Sequence, residues 1–153
     1  MLQELIRRMS VSATIAPPGE RLRESIESDR ALLPEVYEAN KHRNADEPLR
    51  LKLTLMAGRV EATRRLTASR DAGHEVPERA AYTHARQLED DLLLVRENLE
   101  SAGAEHASRA SVDPLLAMVR AHGLFGFLMD VRDHAEMLDD RDRMLELFRT
   151  VRV

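Results

Sequence analysis

The residues best placed for chemistry are Asp130 and Arg132, near the end of the run Leu124–Asp133. This run is the one short stretch of the chain with the apolar character of a buried β-strand. Residues i and i+2 of a strand point to the same face, so Asp130 would orient the guanidinium of Arg132. Such an arginine at the end of a buried strand commonly binds phosphate or carboxylate. We therefore predict that Arg132, oriented by Asp130, binds an anionic group. The competing interpretation is a structural ion pair.

The other reactive side chains show no catalytic or metal-binding pattern. The six histidines are scattered without a His-x-x-x-His pair, and the chain contains no cysteine. No glycine-rich phosphate loop and no nucleophile beside a base is present. The acidic pairs Asp90–Asp91 and Asp139–Asp140 are interpreted as solvated helix faces. We assign no catalytic residue and no metal ligand, although His122 and His134 flank the strand-like run.

The composition indicates what kind of protein positions these residues. Charged residues make up 33% of the chain and aromatic residues 3%, which is typical of exposed helices with narrow apolar stripes. The net charge is −4 with acids and bases interleaved, so the composition argues against a nucleic-acid-binding surface. No apolar run approaches the roughly 20 residues of a membrane span, and no signal-peptide pattern is present. The expectation is a soluble cytoplasmic protein.

Helical periodicity extends through most of the chain. Glu20–Arg30 has helical character, and Pro34 either kinks this helix or begins a new one. The alternating leucines after Pro48 fit a strand or a helix, but the pattern continues through Leu66, and this length favours a helix. A further helix is predicted to open at Pro77.

The remaining boundaries come from glycines and prolines. Gly103 is predicted to end the helix that opens at Pro77, Asp113-Pro114 to begin the next helix, and Gly123 to end it. A last helix is predicted at Ala135–Val151. The predicted fold is therefore mainly α. It is a single helical domain over 1–153, built as an antiparallel bundle of helical hairpins with at most one short strand at about 125–132.

Several segments together resemble an internal part of phosphoenolpyruvate carboxylase. They are Leu33–Tyr37, Asn44–Leu53, Gly58–Arg64, Asp91–Leu99, Val112–Gly123 and Leu128–Arg132. The second resembles the family's helical region E-P-Y-R-x-x-L, and the last resembles its barrel strand L-D-[IV]-R-Q. The order and spacing of the segments carry the resemblance as much as any single one does.

The resemblance implies a piece of a parallel β-barrel wrapped in helices. It also implies an enzyme that converts phosphoenolpyruvate and bicarbonate to oxaloacetate and phosphate with magnesium or manganese. Arg132 matches the family arginine that contacts the substrate phosphate. The glutamine that follows it in the family is Asp133 here, which places a negative charge beside the site.

The chain lacks the segments that would complete the reaction in this family. The catalytic T-A-H-P-T segment, the F-H-G-R-G-G loop and the metal-binding acids are absent from these 153 residues. We therefore expect a fragment that is inactive alone and self-associates, with phosphoenolpyruvate or a full-length carboxylase subunit as its partner. The alternatives are a non-catalytic helical module that binds such a subunit, and a divergent enzyme that uses Arg132, His122 and His134 on a phosphorylated small molecule.

Overall fold

The structure is a computed structural model, and it describes Ile6, residues 17–71 and residues 79–124. Within these residues the chain is helical and contains no strand, which confirms the mainly α prediction. The predicted strand at about 125–132 and the predicted helix Ala135–Val151 lie outside the described residues. Both stay predictions.

Five helices form most of the described chain. They are α1 (Glu20–Leu32), α2 (Pro34–Asn40), α3 (Pro48–Asp71), α4 (Ala85–Ser101) and α5 (Asp113–His122). A single helical turn, Glu105–Ala107, and a π-helical turn, Ser108–Val112, lead directly into α5. Helical structure therefore begins at Glu105, before the predicted start at Asp113.

Proline and glycine set several helix boundaries where they were predicted to. Pro34 begins α2, which resolves the alternative between a kink and a new start. Gly103 and Gly123 follow α4 and α5 with φ angles of 72° and 65°. Residues other than glycine rarely adopt a positive φ angle, so each glycine ends its helix as the sequence indicates.

The predicted helix start at Pro77 is wrong, because residues 79–84 form turns and extended backbone and α4 begins at Ala85. The Gln87 side chain explains this start. Its Oε1 accepts hydrogen bonds from the backbone N–H groups of Thr83 (2.8 Å) and of the N-cap residue His84 (3.3 Å), and so caps the helix at this point. Tyr82 lies just before this cap. It is not helical, and its side chain is buried.

Helix α3 packs against α1, α2 and α4. The first half of α3 is enclosed on nearly all sides: Leu49, Leu51, Leu53 and Leu55 are between 0% and 7% exposed. Residues two apart on a helix lie on nearly opposite sides, so neighbours on several sides are needed to bury all four. This arrangement explains why the leucines of a helix alternate like those of a strand.

The core extends from α3 into the other helices. Its other buried apolar residues come from α1, α3, α4, the π-helical turn and α5: Leu22, Ile26, Met56, Leu92, Leu94, Val95, Leu99, Val112, Leu115, Leu116 and Val119. Ile6 is helical and packs against this cluster from the N-terminal part of the chain.

We predict that Leu53→Ala lowers the free energy of unfolding by about 2–5 kcal/mol, since it leaves a cavity at a position that is fully buried. Urea denaturation followed by circular dichroism measures this change. Val60→Ala is the matched control on the same helix, because Val60 is exposed and should change stability little. Equal losses from the two substitutions would contradict the full burial of Leu53.

Candidate functional site

The described residues do not include most of the sequence-predicted site. Asp130, Arg132 and His134 lie outside the described residues, so the anion site at Arg132 stays a prediction. His122 is the last residue of α5 and is exposed. The charged groups that the described structure does bring together are different residues, and they lie inside the helical core.

Lys52 of α3 lies at the centre of a buried charged cluster. Its ammonium group donates to Asp29 Oδ2 of α1 at 2.7 Å and to Asp91 Oδ1 of α4 at 2.6 Å. The lysine is completely buried, and the two aspartates are 2% and 8% exposed. One side chain of α3 therefore joins the two helices that pack on either side of it.

Arg59 and Tyr82 complete this cluster. Nη1 of Arg59 lies 3.3 Å from Asp29 Oδ1 and 3.3 Å from Asp91 Oδ2, so the arginine bridges the same two carboxylates as Lys52. The guanidinium carbon of Arg59 is 4.0 Å from the centre of the Tyr82 ring. The Tyr82 hydroxyl donates to Asp91 Oδ2 at 2.7 Å. We call Asp29, Lys52, Arg59, Tyr82 and Asp91 the ion-pair cluster.

Local structure explains why these residues meet. Lys52 and Arg59 are seven residues apart on α3, which places them on the same face of the helix, two turns apart. Tyr82 reaches the cluster from the segment before α4. Its backbone N–H donates to Thr63 Oγ1 at 2.8 Å, which fixes that segment against α3 one turn beyond Arg59.

The charges of the cluster cancel when both carboxylates are ionised. Burial raises the pKa of the Asp29 carboxyl above its ordinary value, and the adjacent Lys52 ammonium opposes this effect. Burial, together with the negative charge of Asp91, raises the pKa of Tyr82 well above its ordinary value. Tyr82 therefore stays protonated in the folded protein and acts as a hydrogen-bond donor to Asp91.

The geometry indicates a structural role for the cluster rather than catalysis or metal binding. Both carboxylates are already paired with cations, so they are poor ligands for a further cation. No group of three or more histidine or acidic side chains that could hold a metal ion occurs within residues 17–71 and 79–124. The Arg59 Nε atom is buried without a hydrogen-bond partner, which is the one unsatisfied atom of the cluster that the structure shows.

The interpretation of Asp91 as part of a solvated helix face is wrong. Asp91 faces the interior of the protein and is 8% exposed, whereas its neighbour Asp90 is exposed. One signal could have revealed the cluster. Lys52 is one of only two lysines and stands among leucines at 49, 51, 53 and 55, where an unpaired charge would be very costly.

A second feature of the described surface is an open cleft of about 420 Å³ where α1 and α3 begin and α4 ends. The Arg21–Glu97 ion pair (2.7 Å) joins α1 to α4 at this cleft. The Gly19 N–H donates to Asn98 Oδ1 at 3.3 Å. The polar groups that line the cleft are thus partly engaged with one another, and the cleft contains no cluster of like charges that would indicate a ligand.

Comparison with known proteins identifies related sequences. The family model described as phosphoenolpyruvate carboxylase matches residues 1–153. The phosphoenolpyruvate carboxylase of Roseiflexus castenholzii is 32% identical over 138 residues, which cover 88% of this chain and 15% of that protein. The carboxylase of Xanthomonas oryzae pv. oryzae is 33% identical over 136 residues, which cover 89% of this chain and 14% of that protein.

The carboxylase of Parasynechococcus marenigrum is 31% identical over 169 residues, which cover 95% of this chain and 16% of that protein. The chain therefore spans about 15% of the length of the curated relatives it matches. No solved structure matches the chain.

We predict that Lys52→Met lowers the free energy of unfolding by about 3–5 kcal/mol, because it leaves two buried carboxylates with Arg59 as their one remaining cation. Urea denaturation measures the loss. The matched control is Lys41→Met, which removes the other lysine from its exposed ion pair with Glu38 and should change stability far less. A Lys52→Met variant as stable as the Lys41→Met variant would contradict the ion-pair geometry.

We predict that Tyr82→Phe lowers the free energy of unfolding by about 1.5–3 kcal/mol near neutral pH, because it removes a hydroxyl that donates to a buried carboxylate. The raised pKa of Tyr82 adds a pH dependence. Above the ordinary tyrosine pKa of 10.0 the unfolded chain loses the proton while the folded chain keeps it, so the contribution of Tyr82 to stability falls as pH rises.

The deficit of Tyr82→Phe relative to the unsubstituted protein should therefore shrink between about pH 10 and pH 11, a window that opens at the reference tyrosine pKa. Urea denaturation of both proteins across this range tests the prediction. Tyr37→Phe serves as the control for loss of the other tyrosine. A Tyr82→Phe deficit that stays constant or grows with pH would show that the hydroxyl does not carry a raised pKa.

Proposed function

This chain belongs to the phosphoenolpyruvate carboxylase family, and we propose that it supplies part of the helical framework of such an enzyme and is inactive alone. The main support is that the family match extends over residues 1–153 while the chain spans about 15% of the length of its relatives. The described residues also form a core around α3 and an internally paired charged cluster, as a framework segment requires.

The proposed reaction of the larger protein is carboxylation of phosphoenolpyruvate by bicarbonate, a lyase-class reaction that gives oxaloacetate and phosphate and feeds the tricarboxylic acid cycle in the cytoplasm. It requires groups that move protons and a metal that stabilises negative charge. These 153 residues lack the T-A-H-P-T and F-H-G-R-G-G segments. Histidines at other positions do not replace those segments, because a proton-transfer group must lie within hydrogen-bonding distance of its target.

Magnesium or manganese is the metal proposed for the whole carboxylase. The described residues of this chain do not fit it. Asp29 and Asp91 are the buried carboxylates of the cluster, and their oxygen atoms are engaged by Lys52, Arg59 and Tyr82. A divalent cation would have to displace an ammonium or guanidinium group from a buried position, so no step of the reaction is assigned to these carboxylates.

Arg132 is the residue of this chain that we propose to contact the substrate phosphate, with Asp130 orienting it. The support is the match of Leu128–Arg132 to the barrel strand of the family. A guanidinium group suits this role because its planar donors can contact two phosphate oxygens at once. Asp133 follows in place of the family glutamine and adds a negative charge, which should weaken phosphate binding by this chain.

A second candidate function is that of a helical module that binds a carboxylase subunit without catalysing the reaction. The observation in its favour is that the buried charges of the cluster are paired within the described part of the chain, so this part needs no external ion partner. A folded segment whose buried ion pairs are internal could associate with a larger protein through its surface.

We predict that the purified 153-residue chain gives no oxaloacetate above background when supplied with phosphoenolpyruvate, bicarbonate and magnesium. A coupled assay with malate dehydrogenase and NADH measures the product, and the carboxylase of Roseiflexus castenholzii is the positive control. Turnover well above background that disappears in Arg132→Ala would overturn the inactive-fragment proposal.

The same preparation separates the two remaining candidates. Co-purification of the chain with the Roseiflexus carboxylase, at a fixed ratio in size-exclusion chromatography, would favour the binding module. Failure to associate at micromolar concentrations leaves the framework segment as the supported function.

A further inference from the structure

The leucines of α3 do not by themselves define which side of the helix faces which neighbour. Leu49 and Leu53 lie on one side and Leu51 and Leu55 lie on the nearly opposite side, and all four are buried. A helix with one apolar stripe has a preferred rotation about its axis. The first half of α3 is apolar on both sides, so a rotated packing would also bury leucines.

Lys52 distinguishes between these rotations. Neighbouring positions on a helix differ by about 100° in direction, so a shift of one position would turn Leu51 or Leu53 toward Asp29 and Asp91. Two buried carboxylates would then face a leucine instead of the ammonium group that now lies 2.6–2.7 Å from them. An unpaired buried carboxylate is strongly unfavourable, so the rotated packings are disfavoured by charge rather than by shape.

The same contacts fix the position of α3 along its axis. A slip of one residue displaces a helix by about 1.5 Å, which is enough to break a hydrogen bond of 2.7 Å. Arg59 lies two turns further along α3 and bridges the same two carboxylates. Its contacts therefore restrict the rotation and the axial position of α3 as those of Lys52 do. Rotation and slip would therefore break contacts at two points of α3 together.

Stability alone does not explain a buried ionic cluster. Removing charged groups from water is costly, and apolar side chains of similar size often fill such positions with no loss of stability. We infer that the ion-pair cluster is a conformational device that selects one rotation and register of α3 between α1 and α4. This inference concerns the fold of the segment and does not depend on the proposed carboxylase role.

The test compares the protein with a variant whose cluster is entirely apolar. The variant carries Asp29→Leu, Lys52→Met, Arg59→Met, Asp91→Leu and Tyr82→Phe, so that no buried polar partner is left alone. Circular dichroism reports whether the variant remains helical. A second measurement must report the rotation of α3.

Nitroxide spin labels supply that measurement, because the chain contains no cysteine and a pair can be introduced without background. Glu24→Cys on α1 and Arg64→Cys on α3 are suitable sites, since both residues are exposed. Rotation of α3 moves the label at position 64 by up to the diameter of the helix, about 10 Å. Double electron–electron resonance spectroscopy measures the distribution of distances between the two labels.

We expect one narrow distance distribution in the protein with an intact cluster. In the apolar variant we expect helicity to be kept while the distribution at least doubles in width or splits into two. The control variant, Lys41→Met with Glu38→Leu, removes an exposed ion pair and should keep the narrow distribution.

Two results would overturn the inference. A single narrow distribution at the original distance in the apolar variant would show that apolar packing selects the register without the charges. Loss of most of the helical signal in that variant would show that the cluster is needed for folding itself, so its role is stability and not selection among packings.

Discussion

Charge cancellation around Lys52 is the constraint on which the rest of this helical structure depends. Four ionisable groups from three helices can be enclosed together only if each carboxylate meets a cation and each cation meets a carboxylate. Lys52 and Arg59 meet this condition from one face of α3, with Asp29 on one neighbour and Asp91 on the other. Tyr82 extends the same network to the segment before α4. The cluster therefore relates the positions of α1, α3 and α4 more directly than the leucines around it can.

Local signals in the sequence predicted those parts of the fold that local chemistry decides. Pro34, Gly103 and Gly123 mark helix boundaries because their backbone preferences act wherever they occur. The start of α4 was missed, since it depends on Gln87 accepting hydrogen bonds from Thr83 and His84 while Tyr82 is held in the core. Asp91 was misjudged for a related reason. Its cationic partners, Arg59 and Lys52, lie 32 and 39 residues away along the chain, and no periodicity within one helix reports a contact of that kind.

Family membership and the described structure account for different properties of the protein. The family match over residues 1–153 relates the chain to a carboxylase, whereas the described residues show how a portion of it packs. Helices that wrap a catalytic barrel must hold their relative positions so that the strands beside them are placed correctly. An internally paired cluster would suit the framework role proposed above, because its charges are paired within the segment.

The choice of lysine rather than arginine at position 52 has a consequence for sequence divergence in this protein. Arginine is the usual base in the chain, yet the enclosed site holds one of its two lysines. A compact ammonium group can direct separate donors at two carboxylates on different helices, whereas a planar guanidinium group is larger and presents its donors in a fixed fork. Lysine-to-arginine exchange, which is nearly neutral on a protein surface, would place a larger group here at a fully buried position. Substitution scores that treat the two residues as interchangeable would therefore underestimate how restricted this position is.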